Sequence, residues 1–275
     1  MIVGLTGSTG VLGSELISKS KNINFRYFDG DIKNFDQVKN WINNNDLDSI
    51  IHLAAVVPIR KVNSNKKKAY DVNFLGTKNL VDSIKLKNVK KIWFFLASTS
   101  HVYSKSNKTL SETSKIKPMN YYAFTKLQSE KYLINNKKYI NYCIGRIFSY
   151  TSYLQKKNYF IPNIISKLRN KNKILEIKGT NHYRDFLPIE DVVKAIQILN
   201  RSKPKGIFNI CSSQKILLSD IIKFLNFKDK RIKFINDHTS TSLVGSNRKL
   251  KNLSWKPSYK NYLNYIKKYE KNYNF

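Results

Sequence analysis

The chain has 275 residues, 41% hydrophobic and 13% aromatic, enough to close a large core and too many to depend on disulfides or metals as staples. Cys143 and Cys211 stand far apart with no Cys-x-x-Cys or histidine cluster, which argues against a disulfide framework and a zinc site, and apolar runs such as 93–97 are a fraction of the roughly 20 residues that span a bilayer. Fifty Lys and Arg against 18 Asp and Glu give a formal charge of +32, which first suggests a polyanionic partner.

Short apolar runs alternate with helix-period segments from the first residue, the pattern of a parallel sheet covered on both faces. Strands are expected over 1–6, 25–28, 49–53, 92–97 and 141–147, with helices beginning near Val11, Phe35, Lys68 and Tyr121. Beyond about Phe148 the rhythm loosens. Helices are expected over 161–168, 189–199, 218–225 and 259–269, with extended segments at 174–177, 207–210 and 231–235. The expected architecture is α/β, a Rossmann-type doubly wound parallel sheet with a small C-terminal lobe. Residues 1–150 form the dinucleotide-binding part, 180–212 return to it, and 151–275 are mainly the lobe.

Thr6-Gly7-Ser8-Thr9-Gly10-Val11-Leu12-Gly13 follows the first strand and opens the first helix. In that context the first glycine permits a tight turn and the second lets backbone approach a diphosphate. The third lets helix and strand pack closely. Asp29, at the end of the second strand, stands where an acidic residue takes ribose hydroxyls, and Asp31 is placed to reach the adenine amine. Arg26 lies inside the strand and no arginine follows to meet a 2′-phosphate, so NAD is favoured over NADP.

Tyr122 and Lys126 are four apart, on one face of a helix. A neighbouring ammonium and an oxidised nicotinamide are expected to lower the phenol's pKa and fit it for proton exchange with a sugar hydroxyl or carbonyl. Chance produces such pairs in a chain this rich in lysine and tyrosine, and a second occurs at Tyr153/Lys157. Position favours Tyr122, which opens the helix beyond the fourth strand, near the crevice at the strands' carboxyl ends. That strand ends in Ser98-Thr99-Ser100-His101-Val102-Tyr103, which offers hydroxyls at the mouth of the crevice.

These pieces, with Gly30-Asp31-Ile32, His52-Leu53-Ala54-Ala55, Val72-Asn73-Phe74-Leu75-Gly76-Thr77, Gly145-Arg146-Ile147-Phe148, Arg184-Asp185-Phe186, Glu190-Asp191-Val192, Phe208-Asn209-Ile210 and Trp255-Lys256-Pro257, run in one order over nearly the whole chain. Together they resemble an extended short-chain dehydrogenase/reductase of the NAD-dependent epimerase/dehydratase family, whose members act on nucleotide-activated sugars. The resemblance implies Tyr122 as proton donor and acceptor, Lys126 bridging the nicotinamide ribose, and Thr99 polarising a carbonyl. It implies NAD or NADP on Gly7, Thr9, Gly10, Val11, Leu12, Gly13, Asp29, Asp31, Ile32, Leu53, Ala54, Ala55, Asn73 and Phe148, with Asn73 bracing the active-site helix. Substrate contacts are expected from Val57, Ser100, His101, Ser149 and Arg248, and no metal is expected. A homodimer is implied.

Departures narrow the chemistry. Ser100 and His101 replace the acidic pair of the family's 4,6-dehydratases, and Ser149-Tyr150-Thr151 replaces the Asn and Tyr-Gly-Pro of many epimerases. The compact segment between the second and third strands is similar to that of 4-keto-sugar reductases. His52 is expected to pack in the fold, and Arg184 with Asp185 to form a structural pair. The expected activity is reduction of a 4-keto nucleotide sugar, with an NDP-sugar epimerase as the alternative. The rival of another class is a non-catalytic Rossmann protein that binds RNA or serves as a scaffold. Lysine pairs at 90–91, 137–138, 156–157 and 267–268 and the triple at 66–68 are scattered along the chain rather than gathered into one groove, so no nucleic-acid or membrane partner is expected, and the protein reads as cytoplasmic.

Overall fold

The computed structural model describes residues 1–87, 91–170, 174–226 and 230–270. Lys90, the side chains of Lys268 and Tyr269, and residues 271–275 of the expected lobe lie outside the described residues.

The chain runs through β1 (Ile2–Thr6), α1 (Val11–Ser18), β2 (Asn24–Tyr27), α2 (Phe35–Asn43), β3 (Ser49–His52), α3 (Ile59–Ser64) and α4 (Lys66–Tyr70). A π turn (Asp71–Leu75) then leads into α5 (Gly76–Lys87), β4 (Ile92–Thr99), a 3-10 turn (Ser100–Val102), α6 (Tyr121–Asn135) and β5 (Ile140–Ile147). Next come β6 (Ser149–Thr151), α7 (Phe160–Arg169), β7 (Ile174–Lys178), β8 (Tyr183–Arg184), β9 (Phe186–Pro188), α8 (Ile189–Ser202) and β10 (Gly206–Ile210). The last elements are β11 (Ile216–Leu217), α9 (Leu218–Leu225), β12 (Arg231–Ile235), β13 (Ser242–Leu243), α10 (Arg248–Lys251) and α11 (Tyr262–Glu270).

Six strands form one parallel sheet in the order β10-β5-β4-β3-β1-β2. Its central strands β3 and β4 are buried on both faces because both faces are covered. In β4, Trp93 and Phe95 enter a core with Leu16 of α1 and Val192, Ile196 and Leu199 of α8, whereas Phe94 and Leu96 enter a second with α2, α5 and α6. From β1 the chain goes to β2 on one side and reaches β3 on the other, so the order reverses at β1 and a crevice opens at the carboxyl ends of β1 and β3.

Where one helix was expected from near Lys68, α3, α4 and the π turn precede α5. Asn65 breaks the run, its side chain accepting the Lys68 N–H at 2.8 Å. Helix α11 begins three residues later than expected because Asp191 holds the preceding segment: its carboxylate accepts the Ser258 N–H at 3.0 and 2.9 Å, and its carbonyl accepts the Trp255 ring N–H at 3.1 Å.

A further core joins Ile161, Ile165 and Leu168 of α7, Leu175 and Ile177 of β7, Ile221, Ile222 and Leu225 of α9, and Tyr262, Tyr265 and Ile266 of α11. β6 pairs with β9, extending the chain just past β5 along this second body, and the Thr151 and Tyr262 hydroxyls are hydrogen-bonded across the seam.

Candidate active site

The turn after β1 is shaped by contacts that only glycine tolerates. Gly7 has φ +75°, and a Cβ there would lie 2.6 Å from the Ala54 nitrogen. A Cβ on Gly13 would lie 2.2 Å from the Gly7 carbonyl oxygen, so α1 packs directly on the loop. At Gly10 the nearest contact of an added Cβ is that same oxygen at 3.4 Å, and the remaining space is open. Helix α1 begins there with no side-chain cap and no acid in its first turn, which leaves its N-terminal N–H groups for an anion. This cradle fits a dinucleotide diphosphate.

Opposite the cradle, β4 delivers Thr99 and α6 delivers Tyr122. Asn120 caps α6 by accepting the Ala123 N–H at 2.9 Å. Asn73, carried inward by the π turn, accepts the Val56 N–H at 2.7 Å and donates to the Thr125 hydroxyl at 3.0 Å, tying the loop after β3 to α6. Glu130 fastens α6 to the sheet, taking the Ser98 hydroxyl and the Arg146 guanidinium, with Nη2 to Oε2 at 2.7 Å.

Between these elements lies a cleft of about 700 Å³. Of the residues singled out in the sequence, Gly7, Thr9, Gly10, Val11, Leu12, Gly13, Leu53, Ala54, Ala55, Val57, Thr99, His101, Tyr122, Phe148 and Ser149 line it. Tyr153 of the rival pair is exposed and outside the lining. His52 is fully buried beneath the cleft, bonded to Thr6 and Thr77 through its two ring nitrogens at 2.6 and 3.0 Å.

Several expected contacts are not on the cleft wall. Arg248 is exposed at the start of α10, a helix held on the sheet by Leu250 and by the Lys249 ammonium donating to the Ile207 carbonyl. Ser100 is buried because the 3-10 turn rotates it inward, where its carbonyl accepts the Tyr103 N–H. Ile32 is packed against Gly76. Asn73 is fully buried in its bracing role, and Lys126 lies behind the wall, 1% exposed. Asp29 is exposed at the end of β2, and Asp31 is turned to Lys33, accepting its N–H at 3.0 Å and pairing with its ammonium at 3.1 Å.

Arg184 and Asp185 do not form a pair. Alternation along the strand sends the arginine to the cleft, where Nη1 donates to the Tyr183 carbonyl at 2.7 Å and to Thr241 Oγ1 at 3.1 Å. Asp185 goes to the interior, accepting from Ser212, Ser213 and Gly245. Among the described residues no carboxylate meets Arg184. Sequence reading also missed Tyr150, Tyr159 and Arg60 on the wall. Tyr159 lies in an irregular segment where no periodicity marks a facing direction.

Burial dominates the electrostatics. It draws the Lys126 ammonium down to about 8, against the opposing pull of Glu130 one turn away. It raises the Tyr122 phenol above its usual range, with Tyr159 adding to the shift. Lys126 is not among the causes of that shift, whose direction is set by desolvation of the phenolate. Among the described residues neither Tyr122 Oη nor Lys126 Nζ is engaged in a hydrogen bond, leaving both for a ligand. Burial and the Arg184 charge bring His101 down to about 4, and burial brings Arg184 to about 10.

A glycine cradle at the switch point of a parallel sheet, with a threonine and a tyrosine on the wall that faces it, marks a Rossmann-type dinucleotide-binding protein. The NAD dependent epimerase/dehydratase family model matches residues 3–211, and the chain belongs to that family. It is 28% identical over 221 residues to GDP-6-deoxy-D-talose 4-dehydrogenase of Aggregatibacter actinomycetemcomitans, covering 77% of this chain and 74% of that protein. It is 27% identical over 249 residues to UDP-glucuronate 4-epimerase of Thermodesulfobacterium geofontis, covering 86% and 76%. The structure of RMD from Pseudomonas aeruginosa complexed with NADPH superposes with a TM-score of 0.84 at 21% identity, over 94% of this chain and 93% of that one.

Proposed function

We propose that the protein reduces the 4-keto group of a nucleotide-activated deoxysugar, taking NADH in preference to NADPH. The observation that carries the reading is the placement of Thr99 and Tyr122 on the wall that faces the glycine cradle. The relative whose name places its chemistry at C4 of a GDP-6-deoxyhexose supports it. Asp29 supports NADH, since an exposed carboxylate at the end of β2 repels a 2′-phosphate and accepts ribose hydroxyls.

A bound reduced nicotinamide supplies the hydride. Thr99 donates a hydrogen bond to the ketone and stabilises the developing alkoxide. Tyr122, kept protonated by burial, gives its proton to that oxygen. Lys126, one helical turn beyond Tyr122 and without a hydrogen-bond partner among the described residues, would hold the nicotinamide ribose. Arg184, held by two backbone carbonyls and a hydroxyl and meeting no carboxylate among the described residues, takes the sugar diphosphate. Residues 151–275, apart from the stretch that returns to the sheet, serve as the substrate lobe and bring Tyr159, Phe160 and Arg184 to the cleft, with Ser149, Val57 and His101 at its border.

The test is Tyr122→Phe, assayed with a GDP-4-keto-6-deoxyhexose and NADH. Turnover should fall by about 10²–10⁴-fold, with NADH binding retained. Full turnover by this variant would overturn the assignment.

A further inference from the structure

Thr99 is asked to donate a hydrogen bond to substrate, yet its hydroxyl is already engaged twice. Oγ1 accepts the His101 backbone N–H at 3.3 Å, capping the 3-10 turn, and lies 3.1 Å from His101 Nδ1. The backbone that carries the ring is held as well, because the His101 carbonyl accepts the Met119 N–H at 3.0 Å. A hydroxyl has one proton and two acceptor sites. If Nδ1 accepted that proton, none would remain for a carbonyl in the cleft. If Nδ1 carries its own proton, both acceptor sites of Oγ1 are filled and the O–H must turn elsewhere.

We propose that His101 is a positioning residue: it stays in the neutral Nδ1–H tautomer, donates to Thr99 Oγ1, and thereby frees the threonine proton for the substrate carbonyl. The partner of one ring nitrogen decides which nitrogen is protonated. With Nδ1 held by Thr99, Nε2 is the remaining edge of a ring that lines the cleft within the field of the Arg184 cation. A lone pair there is attracted by that charge, whereas an N–H is repelled. Burial and the same arginine keep the ring neutral at physiological pH. The histidine thus replaces the acid found at this position in the dehydratase pattern with a group that orients a neighbour and withdraws no proton.

This inference rests on Thr99 acting as proposed above, so its test has an arm independent of turnover. Long-range proton–nitrogen NMR of the full chain labelled with ¹⁵N-histidine, assigned by loss of the signal in His101→Asn, should show Nδ1 protonated and Nε2 bare at pH 7. The reverse tautomer overturns the proposal. In the kinetic arm, with GDP-4-keto-6-deoxymannose and NADH, His101→Ala should lower kcat by roughly 10- to 100-fold, part of the loss expected for removing such a donor outright, with KM within about threefold. His101→Asn, whose amide N–H can occupy the place of Nδ1–H, should recover most of that rate, and His101→Gln should not. A loss confined to KM, or equal losses in all three variants, overturns it. Full turnover by Thr99→Ala would instead overturn the proposed function, whatever the tautomer. Loss in Thr99→Ala together with an Nε2–H ring would overturn the role of His101 alone.

Discussion

Gly13→Ala gives the sharpest test of the cofactor cradle. The added Cβ would stand 2.2 Å from the Gly7 carbonyl oxygen and 2.9 Å from Ser8 Cα, where ordinary contact begins at 3.4 Å, a shortfall of 1.2 Å against backbone that no rotamer can relieve. Helix α1 must therefore retreat from the loop by about 1 Å, and its N-terminal N–H groups retreat with it. A displacement of that size costs about 10²-fold where positioning matters, so NADH affinity should fall by about that factor. Overpacking of about 1–3 kcal/mol should lower Tm by roughly 2–5 °C. Gly10→Ala is the companion. Its Cβ meets only the Gly7 oxygen, at 3.4 Å, so Tm should hold while a methyl in the open space lowers NADH affinity by about tenfold or more. Fluorescence titration with NADH and a thermal melt measure both quantities. If Gly13→Ala binds NADH within about twofold of the parent protein, or Gly10→Ala loses stability and keeps affinity, the reasoning about the cradle is wrong.

Arg184→Ala removes a charge-assisted contact to the diphosphate, of about 1.5–3 kcal/mol, so KM for the sugar nucleotide should rise by roughly 10- to 100-fold, and an unchanged KM would refute that role. Asp29→Ala should move the NADPH-to-NADH affinity ratio toward NADPH by about tenfold, measured by paired titrations; a constant ratio would remove Asp29 from the ribose site. Asn73→Ala leaves the Val56 N–H without its partner and the Thr125 hydroxyl with only the Tyr122 carbonyl, and turnover should fall by about tenfold or more with a lower Tm; full activity would mean the brace does not position α6. Burial holds His52 and His101 below the ordinary histidine value, so the unfolded chain binds their protons first and their contribution, complete above about pH 6.5, is lost as pH falls toward 4. Asp185, pushed by burial up to about 6, acts in the opposite sense, its contribution shrinking as pH rises from about 4 to 6. The readout is therefore the Tm difference between the parent and His52→Gln, which should narrow between pH 6.5 and 5; a constant difference would show that His52 does not titrate across folding.

Much of this molecule was legible in the sequence because the relevant physics is local. The continuous apolar runs of Ile50-Ile51 and Trp93–Leu96, the glycines immediately after β1, and the four-residue spacing of Tyr122 and Lys126 depend on neighbours within a turn or a strand. They yielded the parallel sheet and the cradle, and they put Tyr122 and Lys126 on one helix.

Facing relations across the cleft were decided only by the tertiary structure. Arg184 reaches the cleft and Asp185 the core because Thr241, Ser212 and Gly245, distant in sequence, receive them on opposite sides. Arg248 missed the cleft because Leu250 anchors its helix in the core beside β10, and Ser100 missed it because one 3-10 turn rotates the chain after Thr99. The rise of the Tyr122 phenol belongs to the same class, since desolvation depends on everything packed around a group, and no spacing along the chain encodes it.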